Sequence, residues 1–234
     1  MTARSTPTNW RRCRSTWGAV VARLRPSRSS TSPAPWRGAA LAFALLLTGG
    51  AVAAQPLSRV ETGQAAPAFS APSADGARHA LADYAGKVVV LEWTSPVCPY
   101  TAQKYRSGAI QALQRSALAE GAVWLSIDTA APGRPGYLTP AAAKARIART
   151  GARVTAFLFD KDGAIGRLYG AKVTPSFFIV GPGGKLAYQG AMDNEDPRPG
   201  QPGANYVSSA LSALRAGRPV AVAEAKPYGC AVEY

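Results

Sequence analysis

The sequence predicts an α/β fold, a mixed central β-sheet flanked by helices on both faces with a β extension at its N-terminal end. Three observations predict it. The segments "KVVVLEW" (87–93), "AVWLSID" (122–128) and "VTAFLFD" (154–160) are apolar runs of strand length, the mark of strands buried on both faces. Sequence with helical spacing separates them, so successive strands pair in parallel through right-handed crossovers. Beyond them, "SFFIV" (176–180), "GPGG" (181–184) and "KLAYQGA" (185–191) form a hairpin signal that adds antiparallel strands.

The elements follow in chain order. Residues 1–37 carry eight arginines and no Asp or Glu, and the small apolar stretch "GAALAFALLLTGGAVAA" (38–54) follows them. A basic n-region, an apolar h-region and the small residues before Gln55 read as a secretory signal peptide over residues 1–54. Gly49 and Gly50 shorten the apolar core, so no membrane span is expected in the mature chain. Cleavage near Ala54 exports the protein to a periplasmic or secreted location, and an uncut signal leaves it membrane-anchored. Residues 55–67 look like an extended lead-in, 68–218 a single domain, and 219–234 an irregular tail.

Within the domain, residues 68–87 read as two short strands around the turn signal Asp75-Gly76. Helical sequence covers roughly 99–120, with Ile110, Leu113 and Ala117 on one face and an interruption at Ser107-Gly108. Thr139 is an N-cap candidate, with Pro140 at the first helical position and Gly151 just past the end. "KDGAIGRLYG" is a turn with a short helix, and "ANYVSSALSALRAG" (204–217) is a last amphipathic helix.

The charge excludes one function class. The whole chain is +14, but beyond residue 54 there remain 19 basic against 13 acidic residues, a net charge of +6 without a block of like charges. A nucleic-acid partner is therefore not expected. His79 is the only histidine, and no P-loop, zinc spacing or dinucleotide fingerprint occurs, so no metal or cofactor is expected. Two thiols follow the signal, Cys98 and Cys230, in a compartment where disulfides persist.

Cys98 in "WTSPVCPYT" (93–101) closes a buried strand and opens a helix. Backbone N–H groups at a helix start lower a thiol pKa. Lys104 and Arg106 follow it, and no acid lies between Pro99 and Ala119, so local charge also favours thiolate. The competing reading is an inert buried Cys or half of a static disulfide. Cys230 offers three alternatives: a resolving thiol for Cys98, a permanent bridge to it, or a bridge between chains. Glu92 lies inside an apolar run, where an unpaired carboxylate is costly to bury and its pKa rises, unless it faces an edge and is solvated. Trp93 packs beside the site or in the core. Thr101 bonds the Cys98 sulfur or simply occupies the first helical turn.

Four stretches, over roughly residues 60–234, carry a family resemblance. "GQAAPAFSAPSADGARHALADYAGKVVVLEW", "TSPVCPY", "YGAKVTPSFFIVGPGGKLAYQG" and the ending "PYGCAVEY" together resemble the peroxiredoxin-like (AhpC/TSA, redoxin) family of the thioredoxin-fold superfamily. The ending resembles that of a subgroup with a single active-site Cys and a C-terminal Gly-Cys tail. The resemblance implies a thioredoxin-like fold. It also implies an exported thiol-dependent oxidoreductase in which Cys98 attacks a hydroperoxide or a protein disulfide and an unidentified thiol donor restores it. It implies a cis bond before Pro175, with the Thr174 backbone facing the reactive Cys, and a buried acid at Glu92 serving as proton shuttle. Val97-Cys98-Pro99 matches the peroxiredoxin core, Ser95 stands where the P-x-x-x-T-x-x-C pattern has Thr, and Leu91 stands at its Pro position. Thr101 stands where a thioredoxin C-x-x-C has its second Cys. A different class of function competes, a non-catalytic binding or assembly module on the same fold, stabilised by a Cys98–Cys230 disulfide.

Overall fold

The structure, a computed structural model, describes residues 60–194 and 203–234. The expected signal peptide, its cleavage point and the first residues of the lead-in lie outside the described residues. Strands β1 (Ser70–Pro72) and β2 (Arg78–Ala80) pair antiparallel across the Asp75-Gly76 turn, and a 3-10 turn (Leu81–Tyr84) leads inward. Strand β3 (Val89–Trp93) is buried at all five residues. The helical stretch after it is two helices, α1 (Pro99–Arg106) and α2 (Ala109–Ala119). Gly108 breaks them by taking a left-handed φ of 76°, which a side-chain-bearing residue adopts only at a cost.

Strand β4 (Val123–Asp128) and helix α3 (Pro140–Thr150) come next. Thr139 caps α3 by accepting from the Ala142 N–H at 3.2 Å, and Gly151 ends it. Then follow β5 (Ala156–Phe159), α4 (Ala164–Tyr169), β6 (Val173–Thr174), the hairpin β7 (Ser176–Val180) and β8 (Leu186–Gly190), α5 (Tyr206–Arg215) and β9 (Cys230–Ala231). The main sheet has the order β5-β4-β3-β7-β8, parallel across β3, β4 and β5 and antiparallel from β3 to β7 to β8. This is a thioredoxin-like fold, with the site helix α1 springing from the central strand.

Alternation along β3 feeds two cores. Val89, Leu91 and Trp93 pack with Phe178 and with Ile165 and Tyr169 of α4. Val90 faces the other way, onto Tyr105 of α1, Ile110 and Leu113 of α2, and Val207 and Leu211 of α5. Glu92 shares that second face, opposite Ser126 of β4 and Phe177 of β7 in register.

The tail is more ordered than its sequence suggests. Its first part runs along β8, where Gln189 N–H donates to Ala223 O at 3.0 Å and Ala225 N–H to Gln189 O at 3.1 Å. Its end forms β9, antiparallel to β6 with Thr174 opposite Cys230. Tyr234 then lies on α4, its hydroxyl donating to Ala171 O and its ring under Arg167. Two glycines permit this docking. A Cβ at Gly190 would stand 2.0 Å from Ala225 O, and one at Gly229 2.0 Å from Thr174 O. No helix among the described residues is long and apolar enough to cross a membrane.

Candidate functional site

The site forms where β3 ends. Ser95 O accepts from the Cys98 N–H at 3.4 Å, and the Ser95 hydroxyl accepts from the Val97 N–H, so residues 95–98 make a tight turn. Cys98 is the N-cap residue of α1, and Pro99 occupies the first helical position, where a missing N–H costs nothing. Val97, Pro99 and Tyr100 are exposed around it while Cys98 itself is 1% exposed. The Thr174–Pro175 peptide is cis, and the Cys98 thiol donates to Thr174 O at 2.9 Å.

Docking of β9 brings Cys230 to the same point, and both cysteines are free thiols. Burial pushes the Cys98 thiol pKa up, but donors from Cys230, Thr174 and Thr101 outweigh it and bring the thiol down to about 7. Cys230 moves the other way, to about 11, through burial and through its bond to Cys98 and the charge there. The two thiols are thus split in role: one prepared to ionise, the other holding its proton and donating it to the neighbouring sulfur. The Thr101 and Thr174 hydroxyls are buried and bond no other oxygen or nitrogen, which leaves both available to the sulfur or to an oxygen bound beside it.

The charges expected to favour thiolate are engaged elsewhere. Lys104 pairs with Asp193 at 2.8 Å and lies over the Tyr228 ring, so it holds the tail rather than the thiol. Arg106 turns into a cleft between α1 and α3. Hydrogen bonds, not nearby cations, lower the Cys98 pKa.

Glu92 is fully buried, so the solvated alternative does not hold. Its carboxylate accepts from Trp124 Nε1 at 2.7 Å, Ser126 Oγ at 2.8 Å, Tyr105 OH at 2.9 Å and Gln114 Nε2 at 3.3 Å. Burial still dominates and raises its pKa. The hydrogen-bond partners of Glu92 are Trp124, Ser126, Tyr105 and Gln114, and Cys98 is not one of them. Trp93 points to the opposite core, against Tyr169 and Phe178, and its Nε1 donates to Thr129. Of the residues singled out in the sequence, the structure brings together Cys98, Thr101, Thr174, Pro175 and Cys230. Ser95 stands at the rim, and Glu92 and Trp93 lie beneath in separate cores.

Sequence reasoning missed Arg146 of α3, which is 7% exposed and donates to Thr94 Oγ1 at 3.2 Å. It also missed Asp128, whose carboxyl burial pushes up to about 7. One signal was there to be read. In "VWLSID", Trp124, Ser126 and Asp128 alternate along a buried strand, and the polar pair marks one face as more than a hydrophobic wall. A cleft of about 110 Å³ adjoins Cys230, lined also by Ser95, Val97, Thr129, Pro135 and Thr174 among others.

Comparison with known proteins supports the fold. The AhpC/TSA family model matches residues 62–189. Among curated proteins, none matches the chain significantly. Among solved structures, an uncharacterized conserved protein from Geobacillus kaustophilus is 23% identical with a TM-score of 0.67, the match covering 76% of this chain and 94% of that one. A hypothetical protein from Sinorhizobium meliloti 1021 is 22% identical with a TM-score of 0.65, covering 75% of this chain and 95% of that one. These two likenesses show a shared fold. A putative thiol:disulfide interchange protein DsbE from Chlorobium tepidum is 26% identical with a TM-score of 0.46, covering 56% of this chain and 84% of that one.

Proposed function

Since the chain belongs to the AhpC/TSA family, we propose that it is an exported thiol-dependent oxidoreductase that consumes a small hydroperoxide, with Cys98 as nucleophile and Cys230 as resolving thiol. One observation carries the reading: a buried thiol brought down to about 7 stands beside a second, protonated thiol on a docked tail. The Cys98 thiolate attacks the distal oxygen of the hydroperoxide. An S–O bond forms, the O–O bond breaks, and the alcohol leaves with a proton. The Cys230 thiol then attacks the sulfenic sulfur, the S–S bond forms and water leaves. A small-molecule or protein dithiol donor restores both thiols by exchange, and it is oxidised to its own disulfide.

A hydroperoxide suits the site better than a protein disulfide. The backbone of Thr174 is paired with Cys230, so the edge that an incoming strand would need is occupied by the tail. The adjoining cleft of about 110 Å³ admits a small molecule only. The free state of both cysteines favours catalysis over the reading of a binding module held by a permanent bridge. Export rests on the basic and apolar segments of residues 1–54, and the N-terminal sequence of the protein recovered from its producing cells tests it.

The central test is mass spectrometry after one equivalent of hydrogen peroxide. The parent protein is expected to give a Cys98–Cys230 disulfide, Cys230→Ser a sulfenic acid on Cys98, and Cys98→Ser no peroxide consumption. Unchanged consumption by Cys98→Ser overturns the proposal.

A further inference from the structure

A second feature lies one loop away from the thiols. A cleft of about 370 Å³ opens between α1 and α3, and three of its lining residues are Arg106, Arg146 and Arg149, with no acidic residue among the rest. Arg106 and Arg149 are exposed at its rim, while Arg146 is buried. Among the described residues, none of the three forms an ion pair with a carboxylate.

Arg146 is the unusual member. A buried charge is costly unless it is paired, and a guanidinium has five N–H donors to satisfy. Arg146 makes one hydrogen bond, to Thr94 Oγ1, and lies over the Tyr105 ring at 5.4 Å. Glu92 and Asp128 feel its charge without touching it, and burial pushes both toward their neutral forms. The Tyr105 ring and the Thr94 bond fix the plane of the guanidinium, so its remaining donors form a preset fork on the cleft wall. Such a fork matches the two oxygens of a carboxylate or phosphate. The volume lies within the range of small-molecule sites.

We propose that the cleft between α1 and α3 is a binding site for a small organic oxyanion, whose carboxylate or phosphate group is held by Arg146 at the base and by Arg106 and Arg149 at the rim. Pro96 lines this cleft, while its neighbours Ser95 and Val97, together with Thr94, line the smaller cleft beside Cys230. A bound anion therefore sits against the far side of the loop that presents Cys98. The site stands independently of the redox reading, since its test is binding.

The experiment is an NMR titration of the arginine side-chain N–H signals in the purified full chain. Inorganic phosphate and succinate are the probes, with sodium chloride holding ionic strength constant. Saturable shifts of the Arg146 signal are expected with at least one probe. Phosphate alone or succinate alone assigns the preferred group. The rim double variant Arg106→Gln/Arg149→Gln, which leaves the buried residue in place, is expected to weaken binding at least tenfold, and Arg146→Lys to weaken it further by removing the fork. The proposal is overturned if neither probe gives a saturable shift, or if the rim variant binds as tightly as the parent.

Discussion

Cys98 gains its acidity from four hydrogen-bond donors working against burial, and the three residues that supply them come from elements that meet only in the folded chain. Thr101 lies on α1, Thr174 on β6 and Cys230 on β9. The difference in thiolate absorbance at 240 nm between the parent and Cys98→Ser is expected to titrate with a midpoint of about 7. Thr101→Val removes one donor without changing size, and the midpoint is expected to rise; an unmoved midpoint would show that the hydroxyl plays no part. Asp128 provides a second titration with the opposite sign. Its folded pKa is raised from 3.8 to about 7 by burial, so the folded state holds the proton more tightly than the unfolded chain. Its contribution to stability is fully present below pH 3.8 and is lost as pH rises through about 7. Each unit of difference is worth about 1.4 kcal/mol, so the loss is of the order of a few kcal/mol. Urea unfolding at pH 5 and pH 8 should show a clear fall in the parent and a smaller one in Asp128→Asn. Equal falls in both would remove Asp128 as the cause.

At the scale of elements, what local pattern dictates was readable and what close approach dictates was not. The apolar runs gave β3, β4 and β5 because a strand buried on both faces leaves no polar alternation. The caps of α3 were readable because Thr139, Pro140 and Gly151 each solve a local backbone problem. The Ser107-Gly108 break was readable for the same reason. By contrast, β6 and β9 are two residues each, too short for any periodicity. Their pairing depends on Gly229 letting the tail backbone reach Thr174 O, a contact between residues far apart in sequence. Gly229→Ala tests that dependence. Its Cβ would stand 2.0 Å from a carbonyl oxygen that cannot yield, and Gly229 also holds a positive φ of 141°. The variant is expected to fold its main sheet, to lose the pairing of β9 with β6, and to form the Cys98–Cys230 bridge at least tenfold more slowly after peroxide, because Cys230 no longer has a high effective concentration at the thiol. Bridge formation at the parental rate would show that the tail reaches Cys98 without this contact.

At the scale of the whole molecule, the tail covers the approach to the Cys98 thiol. It crosses β8, passes the site and ends on α4, where a Cβ on Gly166 would stand 2.7 Å from the Tyr234 hydroxyl. It is therefore held on both sides of Cys230, and it covers the edge of β6 beside a thiol that is 1% exposed. The sequence shows the Gly-Cys ending but not this path, since nothing in residues 219–234 carries a strand or helix pattern. If the tail is what restricts the site to small molecules, a chain ending at Arg218 should broaden it. Without β9 the Thr174 backbone is open to pair with a substrate strand, the mode by which extended peptides add to a sheet edge. The truncated protein is expected to exchange with the disulfides of reduced-state-sensitive proteins such as insulin, which the parent leaves untouched. It should still react with hydrogen peroxide, but its Cys98 should proceed to sulfinic acid for want of a resolving thiol. The melting temperature should fall by about 2–4 °C for each kcal/mol of lost docking energy, which separates loss of the tail from loss of the fold. A truncated chain that stays folded and still ignores insulin would place the selectivity in the Val97–Tyr100 rim instead of the tail.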